Sequence, residues 1–204
     1  MLQTKTVSPE LLELLDKISN SDFFSDFILV GGTALALQIG HRNSIDLDFF
    51  GRKEIDEILF LEELSKIGDV KKIGGSKNIF VGTIDGVKID FVNHIYKFID
   101  PIIIDEGVKM ASVKDIAAMK LNAIEGRGTK KDFIDLYFLL EIFTLPEMIS
   151  FFNEKYPDHT EFMMMKSLSY FEDADHFPEP VMYRSFDWEI CKQQIKDELT
   201  KLEY

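Results

Sequence analysis

The chain has 204 residues, 46% of them hydrophobic and 29% charged, a globular balance that excludes a disordered chain. Eighteen phenylalanines supply core material, and the single cysteine, Cys191, has no partner for an internal bridge, which fits a reducing, cytoplasmic setting. The formal net charge of −13 argues against a broad non-specific grip on nucleic acid; no signal peptide stands out, and no apolar run reaches the roughly 20 residues needed to cross a bilayer.

In chain order, Ser8-Pro9 before a leucine-rich run predicts a capped helix with proline in its first turn. Phe27-Ile28-Leu29-Val30 reads as a short buried strand that runs into Gly31-Gly32. A helix follows over Thr33 to Gln38, which Gly40 can end. Ile45 to Phe49 alternates apolar and acidic residues, a strand pattern, and residues 54 to 67 have helical periodicity. Strands are expected over Val70 to Ile73, Ile79 to Ile84 and Val87 to Val92, the last two joined at the Asp85-Gly86 turn. Past Pro101 the character becomes helical: Ser112 to Glu125 with Ser112 as cap, Thr129 to Phe143, a helix beginning near Pro146, Met163 to Phe171, and Trp188 to Leu202. The expected organisation is α+β, with a mixed-sheet core over residues 1–107 and a helical domain over residues 108–204.

The chemistry-bearing residues start with Ile45-Asp46-Leu47-Asp48-Phe49. On a strand, alternate side chains share a face, so Asp46 and Asp48 point one way, about 7 Å apart, while Ile45, Leu47 and Phe49 point to the core. Val87-Lys88-Ile89-Asp90-Phe91-Val92 repeats the pattern and offers Asp90 as a third carboxylate. Like charges that close repel, and a divalent cation would relieve them. Three aspartates on neighbouring strands suit a metal site for in-line phosphoryl transfer, with Mg²⁺ or Mn²⁺ held by Asp46, Asp48 and Asp90. The same spacing also fits the solvent face of an amphipathic sheet.

Val30-Gly31-Gly32-Thr33 lies between the first strand and the following helix, where glycine lets backbone approach a phosphate and the helix offers unpaired N–H groups. Gly31-Gly32-Thr33-Ala34-Leu35, followed by Arg42-Asn43-Ser44-Ile45-Asp46-Leu47-Asp48, resembles the first motif of the AbiEii/AbiGii toxin-type nucleotidyltransferases, with Ser44 where threonine is usual. Lys88-Ile89-Asp90-Phe91 resembles the second motif. Asp115 to Leu121, and Arg127 with Lys130-Lys131-Asp132 and Asp135-Leu136, resemble the later ones. The resemblance spans residues 31 to 136, about half the chain, in the family's order. It implies a DNA-polymerase-β-like nucleotidyltransferase core with a helical domain closing the active site. It further implies nucleoside triphosphate binding through Gly31, Gly32, Thr33, Arg42 and Ser44, and toxins of toxin–antitoxin or phage-abortive systems, some of which modify tRNA ends. A cognate antitoxin is the partner so implied.

In the helical half, Lys120 lies on the apolar row of its helix with Ile116 and Ile124, so its ammonium must snorkel or meet an anion; the functional reading is the triphosphate. Asp132 and Asp135 share a face of the next helix. Asp135 fits either a partner that orients Lys120 or a general base, and Asp132 also fits a plain helix-start acid. Arg127, Lys130 and Lys131, in a locally basic stretch, are candidate phosphate contacts. The four histidines lack metal-ligand spacing, and Cys191 reads as a packed thiol. The reading is a metal-dependent transfer of a nucleoside monophosphate from a triphosphate to an acceptor, tRNA being one candidate. A small-molecule, antibiotic-type transferase and a non-catalytic nucleotide-binding module are the alternatives.

Overall fold

The computed structural model describes residues 1–202. The chain forms two compact units, one of Met1–Lys97 with Pro101–Ala111, the other of Phe98–Asp100 with the residues from Ser112 onward. The break at Ala111/Ser112 falls later than the expected 107/108. The reason is a strand hairpin, β6 (Ile103–Asp105) and β7 (Val108–Met110), that the sequence reading did not foresee. Its second strand pairs with the first strand of the sheet at Leu29 and Met110, and the N–H of Ala111 reaches the Leu29 carbonyl.

The first unit begins with α1 (Pro9–Ser19), capped by Ser8, whose hydroxyl accepts from the N–H of Leu11. β1 (Ile28–Val30) is buried throughout, as a central strand should be. It passes directly into α2 (Gly31–Ile39), which Gly40 ends in the left-handed conformation. Residues 32 to 37 of α2 are all buried, so this helix has no polar face and sits in the core. β2 (Asp46–Gly51), α3 (Glu57–Ser65), β3 (Val70–Ser76), β4 (Ile79–Ile84) and β5 (Val87–Asn93) follow. Asp85 and Gly86 both take positive φ, the geometry of a two-residue hairpin turn.

Among the described residues, seven strands form one mixed sheet in the order β3-β4-β5-β2-β1-β7-β6. β2 lies parallel to β5 and antiparallel to β1. The crossover from β2 through α3 and the β3–β4 hairpin is what brings β5 back alongside β2. One face of these strands is apolar: Leu47, Phe49, Phe80, Ile84, Ile89 and Phe91 are buried. Phe60 of α3 covers it, 5.5 Å from the Phe91 ring, and Phe91 stacks on Phe49 at 4.9 Å. Rings buried this way contribute about 0.5–1.5 kcal/mol per pair beyond their area. The period of two therefore sends Asp46, Asp48 and Asp90 to the other face. Ile45 does not join the core: it precedes β2 and is 62% exposed.

The second unit contains α4 (Val113–Gly126), α5 (Lys130–Leu139), α6 (Leu145–Lys155), α7 (Glu161–Leu168), α8 (Glu172–Asp175) and α9 (Trp188–Leu202). Ser112 caps α4 through the N–H of Asp115, and Thr144 and Glu147 form a reciprocal capping box on α6. α5 stops at Leu139, short of the expected Phe143. At the base of α4, the buried Asp115 carboxylate accepts from the N–H groups of Ile99 and Asp100 and from Lys155 Nζ at 2.8 Å. That pair ties residues 98–100 to the helical unit.

Candidate active site

The sheet places Asp46 opposite Lys88, and Asp48 opposite Asp90, across the parallel β2–β5 ladder. All three aspartates are half-buried. Lys88 lies on their face, and its Nζ donates to Asp90 Oδ2 at 2.6 Å. Burial pulls the pKa of Lys88 down, but the hydrogen bond and charge of Asp90, with the charges of Asp48 and Asp46, raise it overall. An ammonium thus already responds to the field of all three carboxylates. The other oxygen of Asp90, Oδ1, is buried with no hydrogen-bond partner. A buried acceptor left unmade costs about 1–3 kcal/mol, and an oxygen-seeking cation would satisfy it. The donor set, three carboxylates at half-exposure, therefore fits Mg²⁺ or Mn²⁺. Among the described residues, however, no group of three or more His, Cys, Asp or Glu side chains is disposed as it stands to hold one metal ion.

The glycine turn packs directly on this face. Gly31 has φ +70, and a Cβ there would stand 2.6 Å from Asp48 Oδ2. At Gly32 a Cβ would stand 2.5 Å from the Arg42 Nη2. Backbone is thereby brought against the aspartate as no other residue permits. Thr33, Arg42 and Ser44 lie beneath the turn, at 0%, 2% and 3% exposure. Thr33 Oγ1 donates to the Asp46 carbonyl and accepts from Ser44 Oγ at 2.8 Å, and Arg42 Nη1 donates to the Asn43 carbonyl at 2.8 Å. These three side chains brace the turn to the start of β2.

The helical unit holds a separate charged cluster. Lys120 Nζ stands 2.6 Å from Asp135 Oδ2 and 3.1 Å from Asp132 Oδ1. Both carboxylates are fully buried and Lys120 nearly so. Arg127 clamps Asp132 from outside with Nε to Oδ2 at 2.9 Å and Nη2 to Oδ1 at 3.0 Å, while its own side chain stays 66% exposed. Thr129 Oγ1 adds a bond at 2.7 Å. Burial pushes the Asp132 pKa up, but Lys120, Arg127 and Thr129 together hold it well below the usual carboxylate range. Of the two roles open to Asp135, the geometry contains the orienting one, its contact with Lys120.

The remaining predicted residues do not join either cluster. Lys130 is buried, 3.4 Å from the Asp175 carbonyl and 5.2 Å from the Trp188 ring. Lys131 is half-exposed. Cys191 is packed, with Sγ on the Phe133 carbonyl, and burial pushes its thiol up to about 12. A cavity of about 560 Å³ beside α7 and α9, lined by Phe162, Met165, Lys166 and Lys196 among others, contains no predicted site residue. Two members of the clusters had no assigned part in the sequence reading: Lys88, and Thr129, which precedes α5. Lys88 had a signal, since it shares the period-two face of Asp90.

A mixed sheet with aspartates on adjacent parallel strands, under a glycine turn from strand to helix, is nucleotidyltransferase architecture. The chain is similar in fold to a crystal structure from H. pylori solved as a candidate nucleotidyltransferase, with TM-score 0.58 and 20% identity over 95% of each chain. It is likewise similar to JHP933 from Helicobacter pylori, with TM-score 0.60 and 20% identity over 97% of this chain and 96% of that one. An uncharacterised protein of Aquifex aeolicus (strain VF5) is 36% identical over 96% of this chain and 98% of its own length. The chain belongs to the family described as "Nucleotidyl transferase AbiEii toxin, Type IV TA system", which it matches over residues 13–203. No helix among the described residues is long and apolar enough to cross a membrane.

Proposed function

We propose that this protein transfers a nucleoside monophosphate from a nucleoside triphosphate to an acceptor, with Asp46, Asp48 and Asp90 holding Mg²⁺ or Mn²⁺. The observation that carries the reading is the Asp48–Asp90 register beneath Gly31, with Asp90 Oδ1 buried and unsatisfied. The bound cation would neutralise the triphosphate and leaving pyrophosphate and activate the attacking oxygen. The chain's own residues supply the rest. Gly31 and Gly32 let the backbone at the start of α2 approach phosphate oxygens, where helix N–H groups face outward. Thr33, Arg42 and Ser44 hold that turn in place, acting on nucleotide through the backbone they brace. Asp132 fixes the exposed Arg127 guanidinium in a bidentate clamp, a pre-ordered donor suited to phosphate. Lys120 and Asp135 support Asp132 from inside; Lys131 lends further positive charge and Lys130 packs the unit.

The acceptor we favour is tRNA, with growth arrest as the consequence and a cognate antitoxin as the partner, in keeping with a toxin family. The net charge of −13 favours a small-molecule acceptor as the second reading. One experiment separates them: incubation with each labelled triphosphate, Mg²⁺ and either total tRNA or a small-molecule extract. Label on tRNA, lost in Asp48→Ala, is the expected result. Label only in the small-molecule fraction selects the second reading, and transfer undiminished in Asp48→Ala removes the assignment of the aspartates.

A further inference from the structure

Lys88 takes no part in the transfer chemistry above. Yet it occupies the place opposite Asp46 in the β2–β5 register and two residues before Asp90 on the same face. Its ammonium holds one oxygen of Asp90 at 2.6 Å, and the other oxygen is left buried without a partner. Among the described residues, the acids are not disposed as they stand to grip one ion together. The Lys88 side chain is 47% exposed, so its long stem has solvent to swing into, whereas Asp90 is 22% exposed and fixed on its strand. Half-exposed pairs of this kind are weak, worth about 0–1 kcal/mol, and are therefore exchangeable.

We propose that Lys88 is a resident counter-ion of the aspartate cluster, whose hold on Asp90 Oδ2 opposes the binding of a divalent cation. Lys88 and the cation compete for the same carboxylate. The lysine keeps the carboxylates from repelling one another when the metal is absent, and it lowers metal affinity by the same interaction. This rests on the metal-site reading of the three aspartates, and the test below separates the two.

The probe is Mn²⁺, titrated calorimetrically at neutral pH into the wild-type chain and into Lys88→Met, Lys88→Arg and Asp48→Ala. Removing a charge that shares Asp90 with a divalent site should tighten Mn²⁺ binding on the order of tenfold in Lys88→Met, once solvent screening is allowed for. Lys88→Arg keeps the charge and should stay within about threefold of wild type. Lys88→Gln serves in place of Lys88→Met if the latter does not fold. Asp48→Ala should bind no Mn²⁺ at this site. Binding in Lys88→Met that is equal to or weaker than wild type, with binding still abolished by Asp48→Ala, overturns the competition and leaves the metal site standing. Absence of Mn²⁺ binding in wild type and Lys88→Met alike overturns both.

Discussion

The two acid clusters of this protein differ in how their charge is met. On the sheet, three half-buried carboxylates share the field of one half-exposed ammonium, and an oxygen of Asp90 has no partner. In the helical unit, two fully buried carboxylates are held by a buried lysine, and one of them also by a bidentate arginine and a threonine hydroxyl. Acids that are satisfied and dry hold a structure together. A buried carboxylate oxygen without a partner, as at Asp90, costs stability, and it persists where a ligand completes it. Under the proposed function, the helical cluster serves stability and the sheet cluster serves chemistry.

The largest effect that sharpens this contrast is expected at Lys120. Lys120→Met leaves Asp132 and Asp135 buried around a neutral side chain. Denaturant unfolding should show a loss of about 3–5 kcal/mol, the usual cost of breaking a buried pair from one side. If the loss is under about 1 kcal/mol, the helical cluster is not structural. Next comes activity on the sheet: Asp46→Ala should reduce label transfer at least about a hundredfold, the scale on which metal-supporting groups act, with stability held within about 1 kcal/mol. Expression of the same variant should relieve any growth arrest caused by the wild type.

A smaller effect follows from pH. Asp132 has its pKa depressed on folding, so its contribution is fully present above its ordinary value of 3.8 and is lost as the pH falls through the lower folded value. The unfolding free energy should therefore drop below about pH 4, and Asp132→Asn should flatten that acid limb. An equally steep limb in Asp132→Asn would place the acid sensitivity elsewhere. The smallest effect concerns Cys191, whose thiol is pushed up by burial to about 12. Alkylation at pH 8 should be at least about a hundredfold slower in the folded chain than in denaturant.

The sheet face that carries the three aspartates was legible because strand periodicity is a local signal. The alternation in Ile45 to Phe49 and Val87 to Val92 separates core from site without any knowledge of the neighbours, and the structure pairs those strands in parallel. Ile45 broke the pattern because it lies one residue outside β2, where it is left 62% exposed. The β6–β7 hairpin was not legible. Its strands are three residues long, Ile104 is 67% exposed, and the pairing of Met110 with Leu29 is a long-range contact that no local pattern announces. That omission misplaced the boundary between the units. The burial of Arg42 was hidden for a similar reason, since its place is made by the missing side chain of Gly32. Lys120 was visible as a lysine on an apolar row needing an anion; its anions are Asp132 and Asp135 of the neighbouring helix.

The division of labour between the clusters is tested most directly by denaturant unfolding, with EDTA present, of Asp48→Asn beside Asp135→Asn. Removing one of three crowded carboxylates on the sheet should leave stability unchanged or raise it by up to about 1 kcal/mol. Removing the buried partner of Lys120 should lower stability by about 3 kcal/mol or more. The reverse order, with Asp48→Asn the more destabilised, would contradict the account.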